Sequence, residues 1–170
     1  MQALIFVENG VEDLEFYYPY YRLLEQGVSV DVSGPHQGVV MGKNGYEINA
    51  NVPLATAKPD KYDILILPGG KAPEKLRLHP AVLDMVRGVM SQGRTVAAIC
   101  HGAQILISAN VLRGRKATCY KAIKDDIIAA GADYYDEPVI VDGNLVTSRC
   151  PEDLPYFCKE IFNSLKVTAR

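Results

Sequence analysis

One cysteine, Cys100, follows a short apolar run and is flanked two residues away on either side by Ala98 and Gly102. A sharp strand-to-helix turn that presents a nucleophile requires small neighbours at these positions, because bulky side chains would clash in its strained backbone. The free N–H groups and partial positive charge of a helix N-terminus also favour a thiolate. The pattern therefore predicts a nucleophile elbow at Cys100, with the pKa of its thiol below the usual range.

Groups that could serve this nucleophile follow the ends of predicted strands. His101 is adjacent to Cys100 and is the candidate base. The diglycine leaves a backbone free to approach a ligand, and the amides of Gly70 and His101 could hold an oxyanion. An ordinary strand-to-helix turn explains the diglycine equally well. Most carboxylates face solvent, and the pattern alone does not choose among the four that follow strands, Glu12, Asp13, Glu15 and Glu74.

The other three cysteines are weaker candidates for chemistry. Cys158 lies on an apolar helical stripe and is expected in the core. Cys119 and Cys150 follow later strands, and we interpret them as structural thiols or as partners for an oxidised Cys100. A zinc site built from Cys100, His101, Cys119 and Cys150 would have unfamiliar ligand spacing. No phosphate-binding glycine motif follows any predicted strand, so we expect neither a metal nor another cofactor.

The elements that position these residues alternate along the chain. Apolar runs at residues 3–7, 64–67 and 96–99 are typical of strands covered on both faces, whereas residues 28–33 alternate apolar and polar and are expected nearer an edge. An Asp-Gly pair predicts a hairpin over residues 139–147. This alternation favours βαβ units in an open, mostly parallel sheet with helices on both faces and sites at the carboxyl ends of its strands. Helices are predicted over residues 11–26, where Pro19 should kink or divide the helix, and over 80–92, 105–109, 123–130 and 154–165.

Composition bounds the remaining possibilities. The 170 residues are expected to form one domain, residues 1–170, and 18 basic against 20 acidic side chains give a net charge of −2. This balance offers no bulk electrostatic reason to bind nucleic acid. The apolar runs are too short to span a membrane, and the first residues lack the basic region of a signal peptide, so a cytoplasmic location is expected.

Several ordered segments resemble one known family over nearly the whole chain. The chain resembles the PfpI intracellular cysteine peptidases, within the wider DJ/PfpI superfamily of glutamine-amidotransferase-like folds. The segments that carry the resemblance are Glu12-Asp13-Leu14-Glu15, Tyr18-Pro19-Tyr20, Leu67-Pro68-Gly69-Gly70-Lys71-Ala72-Pro73-Glu74, Ala98-Ile99-Cys100-His101-Gly102, Gln104-Ile105-Leu106-Ile107-Ser108-Ala109, Val111-Leu112-Arg113-Gly114-Arg115 and Ile123-Lys124-Asp125-Asp126.

The resemblance implies a flavodoxin-like three-layer α/β/α sandwich with a catalytic site at a subunit interface. In that arrangement Cys100 is the nucleophile, His101 is its partner, and Glu74 of a neighbouring subunit orients the histidine. The resemblance further implies that Glu15 hydrogen-bonds the Cys100 sulfur. Proteins of this type are homo-oligomers, often hexamers assembled from dimers.

The same resemblance assigns the pocket around the nucleophile. Gly70 would contribute to the oxyanion hole and Tyr120 would line the pocket. Ala103 stands where many relatives have proline. Cys119 and Cys150 stand where relatives often have other small or apolar residues, which leaves room for redox behaviour particular to this chain.

Three functions are compatible with these residues. The leading hypothesis is a cysteine hydrolase whose Cys100 thiolate attacks a carbonyl carbon, in a small peptide or in a small aldehyde or glycated amine, without nucleic acid or membrane as partner. The alternative is a stress-response chaperone or redox sensor in which Cys100 is oxidised to a sulfinic acid and capped by Glu15. A small-molecule binding module would leave the elbow cysteine unexplained.

Overall fold

A seven-stranded sheet is the centre of the computed structural model, which describes residues 1–166. Residues 167–170 of the predicted domain lie outside that range. The strands are β1 (Gln2–Phe6), β2 (Ser29–Gly34), β3 (Gly38–Met41), β4 (Glu47–Ala50), β5 (Val52–Pro53), β6 (Ile64–Leu67), β7 (Thr95–Ile99), β8 (Lys116–Ala117), β9 (Asp133–Tyr134), β10 (Val139–Asp142) and β11 (Leu145–Ser148). The helices are α1 (Asp13–Glu25), α2 (Ala72–Leu76), α3 (Pro80–Ser91), α4 (Ala103–Ser108), α5 (Lys124–Ala129) and α6 (Leu154–Leu165).

The sheet is parallel except at one edge. Its order is β10-β11-β7-β6-β1-β2-β5, and the β10–β11 pair is antiparallel. In the sheet, β2 lies on one side of β1, whereas β7 lies on the other side of β6, so the two connections cross the sheet in opposite directions. Right-handed crossovers therefore place α1 and α3 on opposite faces of the sheet. Helix α6 packs beside α1, and α4 packs beside α3. The predicted three-layer α/β/α sandwich with a mostly parallel sheet is confirmed.

The apolar runs occupy the positions that their patterns predict. The three continuous runs form β1, β6 and β7, which lie side by side in the middle of the sheet. Every residue of β6 and β7 is buried, because helices cover both faces of these strands. The alternating run forms β2, next to the two-residue edge strand β5. The predicted hairpin joins β10 to β11, with a φ of +58° at Gly143.

Helix α1 continues through Pro19 as one element, so of the two expected effects, a kink or a division, the division is wrong. Proline lacks the N–H that would bond to the carbonyl of Glu15 one turn earlier. The helix persists as one element because its inner side, including Phe16, Pro19 and Leu23, is buried against the rest of the fold. At its start, the Glu12 carboxylate accepts a hydrogen bond from the Glu15 backbone N–H at 2.9 Å and caps the helix.

The hairpin β3–β4 and the short helix α2 have no counterpart among the predicted elements. The hairpin turn contains Asn44 and Gly45, and Gly45 has a φ of +93°. Asn-Gly between β-prone runs is a hairpin signal that would have predicted this turn. Helix α2 has only five residues, too few for a helical period to be recognised in the sequence.

Within residues 1–166, none of the helices has both the length and the apolar character needed to cross a membrane. The expected cellular location stays a prediction.

Candidate active site

Cys100 stands at a strained turn directly after β7. It is the first residue of the 3₁₀ turn Cys100–Gly102, and its φ is +59°, which costs a residue with a side chain on the order of 1–2 kcal/mol. A Cβ on Gly102 would lie 2.1 Å from the Leu67 carbonyl oxygen, so only glycine fits there. The predicted nucleophile elbow is therefore present. The close approach of β6 explains why the residue two positions after Cys100 is glycine.

A fully buried carboxyl group, that of Glu15, faces the Cys100 thiol from α1. Its Oε2 accepts a hydrogen bond from the Gly69 N–H at 2.7 Å. A Cβ on Gly69 would lie 2.5 Å from that oxygen and 2.8 Å from Cys100 Cβ, so the glycine permits the close approach. Burial raises the pKa of Glu15 to about 8, despite the Gly69 N–H, and the nearby Glu12 adds to the rise. The Glu15 carboxyl is therefore mostly protonated at neutral pH.

The pKa of the Cys100 thiol is raised, whereas the sequence analysis predicted a lowered value. Burial raises the pKa of Cys100, and the charge of an ionised Glu15 raises it further. The backbone N–H groups of His101 and Gly70 act in the opposite direction but are outweighed. The expectation was wrong because it counted a helix N-terminus and omitted desolvation, and α4 is only six residues long.

His101 lies within reach of the nucleophile, as predicted for a base. Its Nδ1 lies 3.3 Å from Cys100 Sγ, and its ring centroid lies 4.9 Å from that of Tyr120. Burial lowers the pKa of His101, against the opposing charge of Glu74, so the imidazole is neutral at neutral pH. Glu74 of the same chain is exposed and lines the same cavity. Among the hydrogen bonds of residues 1–166, none joins Glu74 to His101.

Gly70 holds the loop after β6 against the loop after β1. Its φ is +77°, and a Cβ there would lie 2.4 Å from the Gly10 carbonyl oxygen and 2.5 Å from the Glu12 nitrogen. The Lys71 N–H donates to that Gly10 oxygen at 2.8 Å. Glycine is thus required by the crossing of two backbones, and the crossing directs the Gly70 N–H toward the Cys100 sulfur. This position suits the oxyanion role expected for Gly70.

A cavity of about 370 Å³ opens at these groups. It brings together all six of the residues predicted for the site, together with Lys43, Lys71, Glu12 and Pro151; the six are Glu15, Gly70, Glu74, Cys100, His101 and Tyr120. Sequence reasoning missed Lys43 because it missed the hairpin that carries it. The Lys43 backbone N–H donates to the Val11 carbonyl at 2.7 Å. The charge of the Lys43 side chain opposes the rise in the pKa of Glu15 and adds to the lowering of the pKa of His101.

The carboxylates after β1 are buried, contrary to the usual solvent-facing position of such groups. Glu12 caps α1, and Asp13 accepts hydrogen bonds from the N–H groups of Asn44 at 2.7 Å and Tyr46 at 3.2 Å. A Cβ on Gly42 would lie 2.0 Å from Asp13 Oδ1. Glu12 and Asp13 therefore position the β3–β4 turn, and Glu15 alone of the three faces the thiol.

The other cysteines lie outside this cavity. Cys158 is in the core, as predicted. Cys119 is buried, Cys150 is half-buried, and both line a separate cavity of about 340 Å³. In the part of the chain that the structure describes, no group of three or more His, Cys, Asp or Glu side chains is arranged to hold a metal ion.

This fold and site define a class of proteins, namely α/β sandwiches that carry a cysteine on an elbow beside a buried carboxyl group. The pattern that describes the DJ-1/PfpI family matches residues 1–164. The chain belongs to the DJ-1/PfpI family, so the resemblance found in the sequence is confirmed.

Named relatives and a solved structure agree with this assignment. Deglycase PfpI of Pyrococcus furiosus is 45% identical over 166 residues, covering 98% of this chain and 100% of its own. Protein/nucleic acid deglycase 2 of Escherichia coli is 39% identical over 164 residues, 95% of each chain. A two-domain Anabaena variabilis protein with DJ-1/ThiJ/PfpI-like and ferritin-like domains superposes with a TM-score of 0.95 at 41% identity, over 97% of this chain and 48% of that one. These similarities support an enzyme, a cysteine-based hydrolase or deglycase.

Proposed function

We propose that the protein is a deglycase, a hydrolase that removes small carbonyl adducts from amines with Cys100 as its nucleophile. The observation that carries the proposal is the grouping of Cys100 at the elbow, His101 Nδ1 at 3.3 Å from its sulfur, and the buried Glu15 with a pKa of about 8. The deglycase names of two relatives support this reaction over others that begin with the same addition.

The proposed reaction begins with the transfer of the Cys100 proton to the neutral imidazole of His101. The protonated Glu15 donates a hydrogen bond to the resulting thiolate. In an adduct of an amine with an α-oxoaldehyde, one carbon carries both the nitrogen and a hydroxyl group and is bonded to a carbonyl carbon. The sulfur forms a bond to the nitrogen-bearing carbon as the carbon–nitrogen bond breaks, and the imidazolium gives its proton to the departing amine. The N–H groups of Gly70 and His101 hold the oxygen of the adjacent carbonyl, which draws electrons from the reacting carbon. Water then adds to that carbon as the carbon–sulfur bond breaks, which regenerates the thiol and releases the aldehyde as its hydrate.

The size and lining of the cavity favour small substrates. A volume of about 370 Å³ lies near the lower end of the range for small-molecule sites. Cys100 is only 7% exposed, so a substrate must present a carbonyl on a slender group. A modified lysine or arginine side chain, a free aldehyde or the end of a short peptide meets this requirement.

A paired assay tests the proposal. Wild type and Cys100→Ala are compared for release of amine from methylglyoxal-treated N-acetyllysine, consumption of methylglyoxal and cleavage of a fluorogenic peptide. The proposal expects the first two activities to fall at least about a hundredfold in Cys100→Ala. Full activity of the variant would overturn it, and Cys100-dependent cleavage of the peptide alone would favour a peptidase.

A matched thiol control is available in the same chain. Cys158 is buried in the core on α6, far in sequence from the elbow and outside the cavity. Cys158→Ala removes a thiol of similar burial and should leave kcat/KM unchanged. This control separates loss of the nucleophile from general loss of a buried sulfur.

The redox alternative has its own supporting observation. A protonated carboxyl group beside Cys100 can donate a hydrogen bond to a cysteine sulfinic acid, and Glu15 is placed to do so. A sensor or chaperone of this kind would prevent aggregation of a client protein after peroxide treatment. Prevention after peroxide that is lost in Cys100→Ala, together with absent turnover in wild type, would favour this alternative.

Self-association is part of the proposal, with Glu74 supplied by a neighbouring subunit. Its support is a band of exposed apolar side chains that runs from α1 onto the β3–β4 hairpin. Tyr21 is 60% exposed and Tyr46 is 64% exposed, and the ring of Tyr17 lies between them, with centroids at 5.7 Å and 6.0 Å. Contiguous exposed aromatic surface of this kind is typical of protein interfaces.

A further inference from the structure

A second thiol-lined cavity lies beside the candidate active site. It has a volume of about 340 Å³, and both Cys119 and Cys150 line it, together with Arg149 and Tyr120. Tyr120 also lines the cavity that contains Cys100. The two cavities therefore share Tyr120 in their walls, and the proposed reaction uses neither of these two thiols.

The backbone brings the segments of the two thiols side by side. The Thr118 N–H donates to the Thr147 hydroxyl of β11 at 2.9 Å, and the Lys116 N–H donates to the Asp142 carboxylate of β10 at 2.9 Å. The first contact joins the residue before Cys119 to a residue three positions before Cys150. The two thiols therefore follow neighbouring backbone segments and line one cavity.

The surroundings of Cys150 fix one wall of the cavity and leave its sulfur available. Arg149 is held by Asp153, through Nε at 2.8 Å and Nη2 at 3.1 Å, and by Asp136 at 3.0 Å. The Cys150 thiol donates a long hydrogen bond, 3.5 Å, to Asp153 Oδ2, and the Glu152 carboxylate lies within hydrogen-bonding reach of it as well. Cys150 is half-buried and borders open space, whereas Cys119 is fully buried. A small oxidant would therefore reach Cys150 first.

We propose that Cys119 and Cys150 are a redox pair that closes to a disulfide when the protein meets a hydroperoxide. The Cys150 sulfur takes one oxygen from hydrogen peroxide, giving a sulfenic acid and releasing water. The Cys119 sulfur then attacks that sulfur, a sulfur–sulfur bond forms, and the sulfenic oxygen leaves as a second water molecule. In sum the two thiols lose two protons and two electrons, and peroxide is reduced to two molecules of water.

The bond would form one residue from the catalytic pocket. Cys119 directly precedes Tyr120, whose N–H donates to the Cys100 carbonyl at 3.4 Å and whose ring lies against His101. The pair also protects Cys119 and Cys150 from irreversible oxidation, because a disulfide is restored by thiol reductants whereas a sulfinic acid is not.

The test uses the folded full-length chain with the double substitution Cys100→Ser and Cys158→Ser. The chain has four cysteines, so this variant keeps Cys119 and Cys150 as its only thiols. After hydrogen peroxide, both thiols should become unreactive toward a thiol reagent under denaturing conditions, and the intact monomer should lose the mass of two hydrogen atoms. Tryptic peptides 117–121 and 150–159 should be recovered as one linked species that a reductant separates.

Several outcomes would overturn the proposal that Cys119 and Cys150 form a disulfide. Unreacted thiols, sulfinic or sulfonic acids at either cysteine, or a covalent dimer would each contradict the proposal. In wild type, a bond from Cys100 to either thiol would contradict it as well. Far-ultraviolet circular dichroism of the reduced variant confirms its fold, and the Cys158→Ser single variant gives the same test with the elbow thiol present.

Two matched variants define the order of the steps. Cys119→Ser should leave a Cys150 sulfenic acid that dimedone labels, whereas Cys150→Ser should leave Cys119 largely unreacted. The pKa of each thiol is raised to about 12 by burial, so the reactive thiolate fraction rises about tenfold per pH unit below that value. The rate at which peroxide consumes the free thiols should therefore rise about tenfold per pH unit between about pH 7 and about pH 9. Dimedone labelling of Cys119 in place of Cys150 would overturn the order.

Discussion

At the scale of single residues, the protonation of Glu15 decides the pH range of the proposed reaction. The reactive protein has a protonated Glu15 and a neutral His101 that takes the thiol proton. Because the pKa of Glu15 is raised to about 8, we expect kcat/KM to fall about tenfold per pH unit above pH 8 as its charge begins to oppose the thiolate. The decline should be absent in Glu15→Gln, whose side chain stays neutral. An increase in wild-type activity through pH 8 would mean that Glu15, and not His101, accepts the proton.

The same carboxyl group predicts a pH dependence of stability. Its pKa is about 8 in the folded protein and about 4.5 in the unfolded chain, so the folded state holds more protons between these values. The stability that Glu15 contributes is therefore fully present below about pH 4.5 and is lost as pH rises toward 8, by about 1.4 kcal/mol per pH unit. Urea unfolding at pH 5 and pH 8 measures this loss. The free energy of unfolding of Glu15→Gln, relative to that of wild type, should increase between the two pH values by about 1.4 kcal/mol per pH unit. A pH-independent difference would contradict the burial of an ionisable Glu15.

Residue identity was more predictable from the sequence than residue environment. The elbow motif placed Cys100 and His101 correctly because small residues at fixed spacing have a local steric cause. The direction of the Cys100 pKa shift was predicted wrongly because its causes, desolvation by burial and the charge of Glu15, arise only in the folded sheet; Glu15 lies 85 positions away in the chain. Glu15 itself was selected by resemblance, since nothing local separates it from Glu12 and Asp13.

At the scale of elements, the elbow depends on how closely the turn after β7 approaches β6. Gly102→Ala would put a Cβ 2.1 Å from the Leu67 carbonyl oxygen, in a central strand that cannot move aside. We expect a loss of 1–3 kcal/mol of stability, on the order typical of overpacking, and at least about a tenfold loss of kcat/KM. Chemical denaturation and steady-state kinetics measure the two effects.

Gly93→Ala provides the control for that substitution. Gly93 follows α3 with a φ of +72°, and a Cβ there meets no atom within 4 Å. It should cost about 1 kcal/mol of backbone strain and leave kcat/KM unchanged. Equal kinetic losses in the two variants would show that the Gly102 effect reflects stability and not the elbow.

The predictability of elements followed their length and burial. Strands β6 and β7 were predictable because a strand covered on both faces must be continuously apolar. Helix α1 was expected to kink or divide at Pro19, and burial of its inner side keeps it undivided. The hairpin β3–β4 was missed, and with it Lys43, although Asn44-Gly45 carried a usable turn signal.

At the scale of the whole molecule, the source of Glu74 can be tested by mixing two inactive variants. If Glu74 acts across an interface, a site needs Cys100 from one chain and Glu74 from another. Mixed subunits of Cys100→Ala and Glu74→Gln should then recover about a quarter of wild-type activity, because half of the chains carry the cysteine and half of their neighbours carry the glutamate. Light scattering of each sample establishes the oligomer.

Two controls make the mixing experiment decisive. Each variant alone, carried through the same dissociation and reassembly, should stay inactive, and wild type should return to full activity. No recovery from reassembled mixed oligomers would place Glu74 in the same chain as its histidine, consistent with the shared cavity within one subunit.

The crossing of loops around the site has a consequence for motion. The Lys71 N–H is bonded to the Gly10 carbonyl and the Lys43 N–H to the Val11 carbonyl, so three loops hold one another by backbone contacts. Amide hydrogen exchange at Lys43 and Lys71 should therefore be nearly as slow as in the strands, because these loops open only together. Fast exchange there would contradict this. A site that is already assembled before substrate arrives selects its substrates by entry and fit, and it owes little of its specificity to conformational closure.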